Sequence, residues 1–327
     1  MRTKRLVTVI AVCVGLLAAF WTVDCAKLAA AAFPKKNITW IVPYTPGGGF
    51  DIYSRAIARI MPKYLPKQVY VIIKNVPGAG GTRGATILYR SKPDGYTVGI
   101  LNFPGVLALA LVKEVLFDLD KYSYMGRVAV SPYCLSLPKG SPFKTLQDLQ
   151  QSKKPILFSD TGRGSTSHLV GLVGTAKLKI PAEWVLGYPS APAAMVGAIK
   201  GDAEAVIAGG IESQLQYIKS GDLRALFTFT AERNEYLPDI PTVKELGHNG
   251  ELVQLAIHRL VAAPPGVPKD VIEILREALK RSLEDPELKK WSVEGKRPLD
   301  WASAEESREL VARFTKLFSQ YKDVLAQ

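Results

Sequence analysis

A chain of 327 residues, 47% apolar and 22% charged, has room for two domains of ordinary size and is too apolar for disorder or a fibrous repeat. Three cysteines without a CxxC and only three histidines exclude a disulfide framework and a structural zinc site, so no metal is expected. The net charge of +12 suits an anionic partner, but no basic run of five and no helix-turn-helix, zinc-finger or RNP-type signature points to nucleic acid.

The chain opens with Arg2, Lys4 and Arg5, then 18 uncharged residues from Leu6 to Val23, then Ala29-Ala30-Ala31-Ala32. A basic start, an apolar stretch and small residues at its end predict a cleavable secretory signal peptide over 1–32. An uncleaved anchor is the alternative, since 18 apolar residues just reach spanning length, but the A-x-A pattern favours cleavage. Asp24 before Cys25 argues against a lipoprotein. The leader carries Arg2, Lys4, Arg5 and Lys27 against Asp24, so the exported chain keeps +9 and one thiol, Cys134.

Beyond the leader, strands and helices alternate. Ile38–Val42 predicts a strand, Gly47-Gly48-Gly49 breaks it, and Ile52, Ala56, Ile57, Ile60, Met61 and Tyr64 fall on one helical face that ends between Pro62 and Pro66. Val69–Ile73 predicts a second strand, followed by Pro77-Gly78-Ala79-Gly80-Gly81 and a helix through Ile87 and Leu88. Pro93-Asp94-Gly95 turns the chain into a third strand, Tyr96–Leu101, with Phe103 beyond it as a hinge or core residue or, alternatively, a stacking platform for an aromatic ligand. Further units follow: Pro155–Phe158 with Ser165–Ala176, Trp184–Gly187 with Ala191–Lys200, and Ala203–Ile207 with Ile211–Lys219. This alternation predicts βαβ units in open, mostly parallel sheets. The last third is helical, over Pro268–Glu284 and Ser303–Leu325, and the apolar stripe of the latter predicts docking onto a sheet.

Catalytic signatures are missing. There is no G-x-S-x-G, no H-E-x-x-H and no P-loop, and the glycines over 78–84 fail the dinucleotide register, because Arg83 stands where the third glycine belongs. Asp160 and Asp202 have no evident partner in the sequence. No catalytic residue and no cofactor is therefore expected. Two glycine-rich βα loops remain, over 43–51 and 77–84. Loops of this kind sit at the carboxyl ends of parallel strands, where open α/β proteins bind ligands. Without side chains, their backbone N–H groups converge on an anion, helped by the helix dipole behind. Two such loops side by side would hold a carboxylate without an arginine.

Pro43-Tyr44-Thr45-Pro46-Gly47-Gly48-Gly49-Phe50-Asp51 with Arg55 resembles the opening motif of the Bug-type receptors, the periplasmic solute-binding proteins of tripartite tricarboxylate transporters. Asn75-Val76-Pro77-Gly78-Ala79-Gly80-Gly81 and Pro93-Asp94-Gly95-Tyr96-Thr97 match the next two signatures. Gly162-Arg163-Gly164-Ser165 with His168, Arg233 with Leu237-Pro238-Asp239-Ile240-Pro241-Thr242, Glu245 and Gly247, and Pro264-Pro265-Gly266-Val267-Pro268 resemble later ones, so the likeness spans nearly the whole exported chain.

The resemblance implies a two-lobed α/β flytrap, the periplasmic-binding-protein fold, with a mixed, mostly parallel sheet flanked by helices in each lobe. Lobe 1 would hold 33–130 and 253–327 and lobe 2 would hold 131–252, with crossings near Val128–Leu135 and Val253–Ala262. It implies first-lobe ligand contacts at Thr45, Gly47, Gly48, Gly49, Ala79, Gly80 and Gly81, answered from the second lobe by Ser165 and Thr166. It further implies a small carboxylate ligand captured in the periplasm and handed to a membrane permease, by a monomer that performs no chemistry. A receptor reporting to a membrane sensor is the alternative. Three positions depart from the family pattern. Arg163, where a small or neutral residue is usual, is read as pairing with a distal anionic group of the ligand. Glu204 replaces the usual Asp and receives no ligand role, and His258-Arg259 stands where an aromatic-Gly pair is familiar.

Overall fold

The computed structural model describes residues 33–163 and 165–326; the expected leader over 1–32, Gly164 and Gln327 lie outside the described residues. The chain builds β1 (Ile38–Val42), α1 (Gly49–Ile60), β2 (Val71–Asn75), α2 (Thr82–Tyr89), β3 (Thr97–Phe103), α3 (Gly105–Val112) and β4 (Ser123–Pro132). It then enters β5 (Cys134–Pro138), α4 (Leu146–Gln150), β6 (Ile156–Ser159), α5 (Thr166–Lys177), β7 (Ala182–Val185), α6 (Ala191–Lys200), β8 (Ala205–Val206), α7 (Ile211–Lys219) and β9 (Leu223–Thr228). It closes with β10 (Ala256–Ala263), α8 (Lys269–Glu284), α9 (Pro286–Glu294), α10 (Ala304–Phe318) and α11 (Lys322–Leu325).

Two five-stranded sheets result, ordered β2-β1-β3-β10-β4 and β7-β6-β8-β5-β9. In the first, β1 runs parallel to β2 and β3 while β10 is antiparallel to β3 and β4. The second repeats the plan, with β6 parallel to β7 and β8, and β5 antiparallel to β8 and β9. This is the two-lobed, mixed α/β architecture that the family resemblance implies, built from the βαβ units that the strand–helix alternation predicts. Only Tyr133 separates the last residue of β4 from the first of β5, so one extended stretch crosses between the sheets.

Tertiary pairing moves several predicted boundaries. Ile38–Val42 pairs in register with Val71–Asn75, so β2 lies two residues beyond the apolar run, and Val69 is buried ahead of it. β3 continues to Phe103 because His258 of β10 pairs with it. Phe103 is fully buried with its ring edge-on to Phe314, 5.5 Å between centroids, which makes it a core residue. The helix predicted over Ser303–Leu325 breaks at a 3₁₀ turn, Ser319–Tyr321, where the Tyr321 hydroxyl donates to Glu251. Its apolar stripe docks as expected, with Leu310, Val311, Phe314 and Phe318 buried. Helix α3, Gly-Val-Leu-Ala-Leu-Ala-Leu-Val, is apolar all round and has no periodic face for a pattern reading to find.

Candidate functional site

The two glycine-rich loops lie side by side because β1 and β2 are parallel neighbours with βα turns at the same end. Asp51, in the first turn of α1 and 2% exposed, staples the first loop. Its Oδ2 accepts from Gly47 N at 2.9 Å and from Arg55 Nε at 2.9 Å, and its Oδ1 accepts from Asn75 Nδ2 at 2.9 Å. Burial alone would raise its pKa, but the hydrogen bonds from Arg55, Gly47 and Asn75 hold the carboxyl below its ordinary value. Asn75 Nδ2 also donates to Tyr44 O at 2.9 Å, so the end of β2 holds the first loop in place.

Tyr44 joins the first loop to the second. Its hydroxyl donates to Gly80 O at 3.1 Å, and its ring stacks on Phe50 at 4.9 Å. Gly81 has φ +97°, and a Cβ there would lie 3.0 Å from the Tyr44 hydroxyl, so both the conformation and the contact require glycine. Ala79 also sits in the left-handed region, at φ +50°. Thr45, Gly47 and Ala79 are exposed, while Gly48, Gly49 and Gly80 are partly covered and Gly81 is buried.

The lobes meet through a chain of polar side chains. Asn102, near the end of β3 and 2% exposed, donates from Nδ2 to the Tyr44 hydroxyl and accepts at Oδ1 from the Thr166 hydroxyl. Thr166 Oγ1 in turn accepts from Gly105 N at 3.2 Å. Thr166 opens α5, so the second lobe reaches the first through a helix N-terminus. The neighbouring N-cap, Ser165, is committed within its own lobe, donating to Asp160 Oδ1 at 2.7 Å and accepting from His168 N at 3.1 Å. Asp160, at the end of β6, is fully buried. Burial pushes its pKa above the ordinary value despite hydrogen bonds from Ser165, Ser167 and Thr161.

The crossing strand β10 contributes a charged floor. Arg259 is 2% exposed and pairs with Asn102 across the strands, so the two side chains share a face. Its guanidinium lies 4.4 Å from the Tyr53 ring centroid and 5.2 Å from that of Phe50. Nη2 donates to Glu212 Oε1 of α7 at 3.3 Å, and Nη1 donates to the Ser131 hydroxyl of β4. A Cβ on Gly49 would stand 3.1 Å from Nη2, which brings this charge directly against the start of α1.

Thr45, Gly47, Gly48, Gly49, Ala79, Gly80 and Gly81 therefore lie on the two linked loops, with Thr166 reaching them through Asn102 and Tyr44. Arg163 lies elsewhere: it is exposed and lines a cavity of about 100 Å³ with Leu109, Val112, His168, Leu172 and Leu325. Glu204 accepts from Leu157 N at 3.1 Å, in keeping with a structural place. Sequence reasoning did not assign Tyr44, Asn102, Arg259 or Glu212 to the site and left Asp160 without a partner. Arg259 had a signal, being a charge amid apolar residues where the family pattern has an aromatic-Gly pair at the cleft wall; Asn102 had none.

The family profile for the tripartite tricarboxylate transporter family receptor matches residues 53–312. Protein BugT of Bordetella pertussis is 30% identical over 273 residues, covering 79% of this chain and 80% of BugT. Among solved structures, MatC of Rhodopseudomonas palustris with bound malate superposes with a TM-score of 0.74 at 23% identity, covering 90% of this chain and all of MatC. An R. palustris protein with adipate gives 0.76 at 21% identity, covering 90% of this chain and 98% of its own.

Proposed function

The chain belongs to the tripartite tricarboxylate transporter receptor family, a family of solute-binding receptors rather than enzymes, and we propose that it captures a small carboxylate-bearing ligand between its lobes in the periplasm and delivers it to a membrane permease. The observation that carries this reading is the Tyr44–Asn102–Thr166 chain, which ties the two glycine loops of one lobe to the helix N-terminus of the other. Malate and adipate in structural relatives support a carboxylate as the ligand class.

In this reading, backbone amides of Gly48, Gly49, Ala79 and Gly80, with the Thr45 hydroxyl, receive the carboxylate, while Gly47 and Gly81 shape the loops, because their N–H groups are committed to Asp51 Oδ2 and Gly78 O. Each charge-assisted bond is worth roughly 1.5–3 kcal/mol. Thr166 closes the second lobe over it and Ser165 orders the loop beside it, while Arg163, on its separate cavity, takes no part in this contact. A ligand that touches both lobes favours the closed form by its differential affinity, and the permease reads that form. The receptor acts as a monomer, without cofactor or catalysis.

The test is a thermal-shift screen of the purified protein against small carboxylates, with the strongest hit followed for turnover. Ligand at a hundredfold over Kd should stabilise the fold by about 2.7 kcal/mol and be recovered unchanged. Turnover of the hit, or stabilisation only by uncharged solutes, would refute the reading.

A further inference from the structure

The second-lobe wall holds a buried acid that a cradle for carboxylates does not call for. Asp160 has no exposed surface. Its Oδ1 accepts from the hydroxyls of Ser165 and Ser167 at 2.7 and 2.9 Å and from Thr161 N at 2.6 Å. Its Oδ2 has no partner. Every donor on Oδ1 comes from the loop after β6 or the first turn of α5, which leaves Oδ2 turned away from that loop. Ser165, which donates to Asp160, is followed directly by Thr166, whose hydroxyl donates to Asn102 of the first lobe and accepts from Gly105 N. Asp160 therefore borders the space where the lobes meet.

Among the described residues, no salt bridge reaches Asp160 from the cleft floor. Arg259 and Glu212, the buried charges there, neutralise each other at 3.3 Å. An ionised carboxylate oxygen accepts and cannot donate. A ligand presenting only carboxylates would set a second anion against it, and a buried charge left unpaired is costly. A ligand that brings an ammonium or amide N–H supplies the missing donor, and an ammonium also supplies the counter-charge.

We infer that Asp160 is a specificity-determining residue whose Oδ2 receives an N–H donor from a ligand whose carboxylate lies in the glycine loops. The inference rests on the carboxylate reading above and narrows it: the ligand is an amino acid or an amide-bearing acid, in preference to a di- or tricarboxylate built of oxygen alone.

Calorimetric titration with matched probes tests this: L-aspartate against succinate, L-glutamate against glutarate, and succinamate against succinate, each with the wild-type protein, Asp160→Asn and Asp160→Ser. The nitrogen-bearing member of at least one pair is expected to bind wild type at least tenfold more tightly, and both variants to bring that ratio to about one. Asp160→Ser covers the case in which Asp160→Asn does not fold. Tighter binding of the nitrogen-free acid in every pair, or a preference unchanged in the variants, would overturn the inference and leave the carboxylate reading standing. No binding by any probe would overturn the inference, and the carboxylate screen above then decides the wider reading.

Discussion

His168 and His258 are buried, and burial holds both well below the ordinary histidine value, at about 4 and about 3. Arg163 adds to the effect at His168, and Arg127, Arg313 and Arg259 add to it at His258. His168 rests edge-on to Trp184 at 4.8 Å, and both ring nitrogens of His258 lack a partner beside Phe314. Their folded values lie below that of the unfolded chain, so the unfolded state takes up protons first as pH falls. Stability is full above pH about 6.5 and declines below it, by about 1.4 kcal/mol per pH unit for each histidine. Urea unfolding of the wild type from pH 7 to 4.5 should show this loss, and His258→Leu should roughly halve the slope at little cost at pH 7, because it removes two unsatisfied nitrogens. An unchanged slope would mean that His258 is not held neutral. The sequence shows three histidines; that two of them are charge-averse depends on the arginines and rings packed around them.

Among the elements, α5 carries the second-lobe contact, and its seat is set by Gly171. A Cβ there would lie 1.9 Å from the Trp184 ring, so the helix packs against β7 through an absent side chain. Gly171→Ala must displace Trp184 or the helix, and should cost about 1–3 kcal/mol in denaturant unfolding. Because Thr166 opens the same helix, ligand affinity should fall as well. An unchanged unfolding midpoint would show that Trp184 swings aside freely. The helix itself was legible: an expected Ser165–Ala176 against an observed Thr166–Lys177, with Ser165 as N-cap. Helix α3 was not, since a segment apolar on every side offers no polar face. Local capping and periodicity define α5, whereas burial between the lobes defines α3.

Across the whole molecule, Arg259 and Glu212 join the crossing strand of one sheet to a helix of the other, both nearly devoid of solvent contact. Removing one partner strands a buried charge, so Glu212→Ala should destabilise the protein by about 3–5 kcal/mol. The paired variant Arg259→Met with Glu212→Leu should recover most of that loss in the same unfolding measurement. A Glu212→Ala protein as stable as wild type would show that water reaches the pair. Small-angle scattering should also find Glu212→Ala more open than wild type, because the pair favours the joined arrangement of the lobes.

The glycine loops, the strand–helix alternation and the capping serine of α5 were set by the chain itself, because turn conformation, helix capping and side-chain periodicity act over a few neighbouring residues. The meeting of Asn102 with Thr166, 64 residues apart, and of Arg259 with Glu212 and Ser131, 47 and 128 residues apart, was settled by folding alone. No local pattern encodes such pairs: they form because two sheets built on one plan bring their loop ends together, and burial there obliges each polar group to find a partner.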